Sequence, residues 1–328
     1  MHKLFLSAQN FISLRMFKIN IRAVFIKKLL TGVMLCALIA INLPPAFAQN
    51  IPPPVNKQRL RTVIFTEAAV STLTMVGLHF LWYKKFPRSR FHLFNDNAEW
   101  LSMDKVGHAV TAYNVSGIQY DVMRWSGVSN KNSAWVGGLT ALGMQTIMEI
   151  FDGFSTKWGF SKGDMIANIT GSALFTAQQL AWGEQRVRLK FSFHKTIYSA
   201  YNPSDLGANK WQRWIKDYNG QAYWLSVNPS SFMKSNTSFP AWLNISVGYG
   251  AEGMIGARTN PSAMGNKIIP SYKRQRQFYL SADADLKRFN LNTVHPQTLL
   301  ALPNMLKMPA PALEFKKDSA VKFHWLYF

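Results

Sequence analysis

The rhythm of polar and apolar positions changes near the middle of the chain. Over residues 62–182 long apolar stretches alternate with short polar breaks, and the spacing predicts four helices at 62–83, 104–125, 133–151 and 164–182. The second is rich in small residues (Gly107, Ala109, Ala112, Ser116, Gly117), which allow close helix packing. Beyond Gly183 the period drops to two. Residues 187–193 alternate apolar and polar. Leu243, Ile245, Val247 and Tyr249 share one side of a predicted strand at 242–249. At 277–286, Phe278, Leu280, Ala282 and Ala284 stand opposite Tyr279, Ser281, Asp283 and Asp285, and shorter strands are expected at 313–315 and 321–328. The stretch 211–226 is polar and aromatic without a clear period, and its Trp211, Trp214 and Trp224 suit core packing, an interfacial belt or a binding platform. The expected fold class is α+β: an N-terminal four-helix bundle (62–182), membrane-embedded or membrane-associated, followed by a β-rich C-terminal region (183–328).

Three polar clusters break the apolar helices at their ends. Asp104-Lys105-x-x-His108 opens the second helix, Glu149-x-x-Asp152 closes the third, and Asp164-x-x-x-Asn168-x-x-Gly171 opens the fourth. In an up-down bundle these ends lie on one side. Spacings of three and four also put the members of each cluster on one helix face. Topology and helical phase therefore both predict one shared polar site built from Asp104, Lys105, His108, Glu149, Asp152, Asp164, Asn168 and Gly171, with Gly171 admitting a close backbone or ligand.

Such a site supports several chemistries. His108, Glu149, Asp152 and Asp164 are of the types that ligate a divalent metal, the one candidate cofactor. Neighbouring carboxylates push their pKa values apart and suit acid–base work. Lys105 offers charge to a polar head group. Against these stands a structural role, since Asp104 and Asp164 each suit a helix N-terminus. Glu67, inside the first helix, reads as a satisfied structural carboxylate.

Composition changes the picture in one direction. Of 328 residues 48% are hydrophobic and only 16% charged, against about a quarter in ordinary soluble chains. The net charge of +21 favours polyanions, and with no nucleic-acid motif among the basic residues the expected partner is membrane lipid or another anionic envelope component, not nucleic acid. Residues 1–48 have the form of a secretory signal: Lys18, Arg22, Lys27 and Lys28, an apolar run over 29–41, and small residues ending at Ala48. The only cysteine, Cys36, falls in this leader and follows Leu35, so it lacks the small residue that lipidation requires. A proline-rich basic linker is expected at 49–61.

The Asp104-Lys105-x-x-His108 and Asp164-x-x-x-Asn168-x-x-Gly171 pattern, with an acidic pair closing the helix between them, resembles the VanZ-like bacterial membrane proteins. With Asn95-Asp96-Asn97-Ala98-Glu99-Trp100 ahead of it, the pattern more closely resembles DUF2279, a family of predicted periplasmic lipoproteins of the YfiM type, over roughly residues 60–182. The segments 216–221 and 248–253 look like its longer members. The resemblance implies a helical-bundle envelope protein and does not by itself imply an activity.

The helices at 62–83, 133–151 and 164–182 are long enough to span a bilayer. Lys84, Lys85, Arg88 and Arg90 follow the first on the side the positive-inside rule makes cytoplasmic. The rival is a periplasmic bundle lying against a membrane. The alternating strands and terminal Phe328 resemble outer-membrane proteins but are too few for a complete bacterial barrel. The sequence thus points to an exported envelope protein whose polar site binds a polar or anionic envelope component. The alternatives are a metal- or carboxylate-dependent hydrolase or transferase acting on a lipid-linked substrate, and a structural scaffold.

Overall fold

A computed structural model describes residues 54–81, 83–233, 238–289 and 300–328. The expected leader and the first residues of the linker lie outside the described residues. Helix α1 (Lys57–Leu81) begins at Lys57 rather than at 62. The Asn56 side chain accepts from the Arg59 amide at 3.0 Å, and the Lys-Gln-Arg-Leu-Arg run consists of good helix formers, so the end of the expected linker is helical.

Helices α2 (Met103–Trp125), α3 (Asn130–Gly153) and α4 (Lys162–Trp182) form a tight three-helix core. Small residues set how close they come. A Cβ on Gly137 would lie 2.5 Å from the Ser116 carbonyl oxygen of α2. Ser129 and Ser161 cap the starts of α3 and α4, and Gly183, with φ of 69°, ends α4 in the left-handed conformation.

Helix α1 is the outlier. Arg59 stacks over Trp125 and Ser71 approaches Met144, while the Gln119 side-chain amide lies against the Glu67 carboxylate. Among the described residues α1 is the one helix long and apolar enough to cross a membrane, by length and composition, and 11% of that window is buried. The third and fourth helices, expected to be long enough to span, do not meet that measure of length and apolarity. Those helices turn Gln145, Glu149, Asp164, Asn168, Gln178 and Gln179 into the protein, so their apolar residues are interrupted too often.

The C-terminal region is a six-stranded antiparallel sheet: β1 (Val187–Phe193), β2 (Gln221–Val227), β3 (Leu243–Glu252), β6 (Gln275–Ala284), β7 (Ala310–Lys316) and β8 (Lys322–Tyr327), adjacent in that order. Short helices α5 (Pro203–Leu206) and α6 (Lys210–Lys216) join β1 to β2, and a small hairpin, β4 (Ala263–Met264) and β5 (Lys267–Ile268), stands apart. Strand β2 covers the end of the stretch that showed no period and runs one residue past it. Tyr223 and Trp224 put a large aromatic on each face, which hides the alternation. Trp224 is buried, whereas Trp211 and Trp214 are exposed.

The two faces of this sheet are inverted relative to most soluble sheets, which bury the apolar face and wet the polar one. One face carries the cross-strand row Lys190–Trp224–Gly248–Tyr279–Glu314 and is buried. On it Lys190 pairs with Asp283 at 2.7 Å with neither side chain exposed, Ser226 donates to Asp283 at 2.6 Å, and Gln277 donates to Glu314 at 2.7 Å. The sheet curls around these groups until the free edge of β1 meets the segment ahead of β7, where the Lys307 amide donates to the Phe191 carbonyl at 2.8 Å. The opposite, convex face carries the aliphatic row through Leu225, Val247 and Leu280. Helix α2 covers its β1 side, where Met103 and Val110 pack with Leu189, Phe191, Tyr223 and Tyr249. Polar contacts lock the junction: Asn114 donates to the Leu189 carbonyl at 3.1 Å, and Gln178 donates to the Val187 carbonyl at 2.8 Å.

Candidate functional site

The antiparallel core puts the start of α2, the end of α3 and the start of α4 at one end, where six of the eight residues singled out from the sequence make a connected cluster. The Lys105 ammonium sits among three carboxylates, 2.7 Å from Asp96, 2.8 Å from Asp164 and 3.2 Å from Asp104. One helical turn on, the His108 ring lies between acids on both sides. Its Nε2 is 3.9 Å from Asp104 and 3.8 Å from Asp164, and its Nδ1 is 3.8 Å from Glu149 and 3.1 Å from the Asn168 carbonyl oxygen. Gln145 donates to that same oxygen at 3.1 Å, and Glu149 accepts from the Ser161 amide at 3.1 Å.

The other two residues stand differently. Asp152 faces Tyr83, whose hydroxyl donates to it at 2.8 Å, and it meets the cluster only through longer-range charge. Gly171 meets the backbone of α2. A Cβ there would fall 2.0 Å from the Ala109 carbonyl oxygen, directly behind His108. Gly171→Ala is therefore expected to force α2 and α4 apart and cost about 1–3 kcal/mol, read as a lowered thermal midpoint with the secondary structure retained.

Asp164 follows Ser161 as the third residue of α4. Ser161 is the cap, accepting from the Asp164 amide at 3.1 Å, which leaves the Asp164 carboxylate free to face Lys105. Asp104 is in the first turn of α2 and accepts from the Tyr218 hydroxyl. The turn entering α2 is strained: Trp100, Leu101 and Ser102 all have φ between 48° and 66°. It is held from the C-terminal region, where the Ala257 carbonyl accepts from the Trp100 amide at 2.7 Å and the Tyr249 hydroxyl donates to the Leu101 carbonyl.

The residues missed from sequence are Asp96, Tyr83, Gln145, Ser161 and Tyr218. Asp96 is in the Asn95–Trp100 string that carried the family resemblance. Gln145 is four residues before Glu149, on the same helix face.

Proton affinities in this cluster spread widely. Burial pushes Glu149 up to about 8 against the opposing pull of His108. Burial likewise raises Asp152 to about 7 and, with the negative charge of Asp104 adding to it, Asp164 to about 6. For Asp104 burial acts upward but is outweighed by His108, Lys105 and the Tyr218 hydroxyl, which hold it below the usual carboxylate value. His108 is also pushed down by burial, yet Asp104, Asp164 and Glu149 together carry it above the ordinary histidine range. The arrangement can hold protons through neutrality and pass them between His108 and its acids.

Fold and cluster together define a class: an α+β protein whose three-helix core encloses a buried histidine–carboxylate site. Residues 92–179 match the family model described as predicted periplasmic lipoprotein (DUF2279), in support of the resemblance read from the sequence. The match is narrower than the expected 60–182. It spans the loop carrying Asp96 and nearly all of α2–α4, and it leaves out α1 and the sheet. It gives no support to the VanZ-like resemblance. No curated protein and no solved structure matches the chain. The family description agrees with an exported protein of the cell envelope.

Proposed function

We propose that the chain is a cell-envelope protein that binds a small polar group at the His108 cluster. Two atoms support this most: Glu149 Oε1 and Asn168 Nδ2 are buried without a hydrogen-bond partner, and both side chains flank His108 Nδ1. An unpaired buried polar atom costs about 1–3 kcal/mol, which a ligand with both donor and acceptor atoms would remove. Carboxylates outnumber cations here, so a neutral or cationic group suits the site better than an anionic one. Anionic lipid is instead the match for the charge of the chain as a whole, +21.

A divalent cation is the second reading, supported by ligand atoms of Asp104, His108 and Asp164 that all lie within 4.8 Å of one another. Lys105 competes for the Asp164 oxygen, so metal binding would compete with an internal ammonium and release the His108 proton. Native mass spectrometry and metal analysis of the gently purified chain separate these readings. A co-purifying organic mass lost in Asn168→Ala supports the first. A stoichiometric metal lost in His108→Ala supports the second. Wild-type protein that carries neither, and whose melting is unmoved by ethanolamine or by divalent cations, leaves the cluster a structural lock.

A further inference from the structure

We propose that the uncovered convex face of the curled sheet sits against the hydrocarbon of a lipid bilayer. Across five strands this face presents the paired row Leu225–Val247–Leu280–Leu313–Phe323, with Trp325 beside it on β8. Val247 is 53% exposed and Trp325 82%. The charged and hydroxyl-bearing side chains that would normally face water are instead enclosed on the concave side. Polar groups within and hydrocarbon without is how a sheet is built when its surroundings are lipid.

A second copy of the chain could also cover an apolar face, but the two ends of the sheet favour a bilayer. At the end where β1 starts and β2 finishes, Arg186 lies over the rings of Trp182 and Phe232, and Trp242 stacks on Phe289 at 5.4 Å. At the other end, in the connection from β1 through α5 to α6, exposed Trp211 and Trp214 stand beside Lys210 and Arg213 in the chain. Amphipathic aromatics with basic side chains at both rims of an apolar band are the pattern of a membrane–water interface. Strands β3 and β6, ten residues each, extend about 33 Å, comparable to a hydrocarbon core of about 30 Å. The excess positive charge suits anionic head groups, and α1 supplies a further apolar surface of membrane-crossing length.

The test uses the full chain with Cys36→Ser, which removes the only cysteine. Single cysteines are then introduced by Val247→Cys and Leu280→Cys, with Asp318→Cys as a control in an exposed turn. Each carries a nitroxide, and the protein is reconstituted with phosphatidylethanolamine–phosphatidylglycerol vesicles. Collisions with lipid-soluble oxygen are expected to exceed those with an aqueous nickel chelate at positions 247 and 280, and the order to reverse at 318. Collision ratios at 247 and 280 that match the control overturn the proposal. So does spin–spin broadening at those positions, which would mark a second copy on the face, or recovery of folded chain free of vesicles. Because the substituted side chains point outward, the substitutions leave the interior network intact.

Discussion

Lys105→Met is expected to destabilise the protein by about 3–5 kcal/mol near neutral pH, the usual cost of removing one partner from a buried charge network. The Lys105 ammonium is the common counter-ion of Asp96, Asp104 and Asp164, and its side chain is 14% exposed. Without it, three acids from three segments of chain are left facing one another. They can relieve the repulsion only by taking up protons, which carries the folded-state pKa of Asp164 further above its unfolded value and lifts that of Asp104 from the low value Lys105 helps to hold. A carboxyl raised in this way favours the folded state below its unfolded pKa and loses that contribution as pH climbs through its folded pKa. The deficit of the variant should therefore be largest at about pH 7.5 and shrink toward about pH 4.5, measured by urea denaturation followed by circular dichroism. A deficit under about 1 kcal/mol at both values would class Lys105 with ordinary surface ion pairs and sink the argument.

Parts of this site were legible because acids inside apolar helices are conspicuous. Asp104, Glu149 and Asp164 could be placed together from helix order and phase alone, since a bundle with short connections leaves few ways to arrange its ends. The partners that come from loops could not. Asp96 reaches Lys105 from an irregular segment, and Tyr218 reaches Asp104 from 114 residues away, where no local pattern relates the two. The sheet was half legible for a different reason. Alternation states that two faces differ in polarity but does not say which is enclosed. The usual assumption puts Leu225, Val247 and Leu280 inside. What reverses it is the buried pairing of Lys190 with Asp283, between strands that are not neighbours, and the close of the sheet at Lys307. Helix α1 was expected in the bundle because its length matches the others, yet length says nothing about packing. Its sequence has few of the buried amides and small residues that bind α2, α3 and α4 together.

Glu149→Gln is expected to change the pH dependence of stability more than any other single amide substitution in the cluster. In the folded protein burial carries the Glu149 pKa from 4.5 to about 8, so the folded state keeps a proton that the unfolded chain gives up. The sign follows directly. Stability associated with this group is complete below about pH 4.5 and is lost as pH rises toward 8. Asp152, raised to about 7, and Asp164, raised to about 6, act in the same sense, and so does His108, whose raised value stabilises the fold while it is charged. Asp104, held below its ordinary value, acts in the opposite sense but only in stronger acid. The wild-type protein should therefore lose stability between about pH 5 and about pH 9. The glutamine amide cannot ionise and retains an oxygen to accept from the Ser161 amide. At about 1.4 kcal/mol per pKa unit, the variant should match wild type near pH 5 and exceed it by on the order of 4 kcal/mol near pH 9. Denaturation midpoints across that range test this. Parallel profiles for the two proteins would mean that Glu149 is ionised in the native state, and His108 would then face full negative charge at Nδ1 as well as at Nε2.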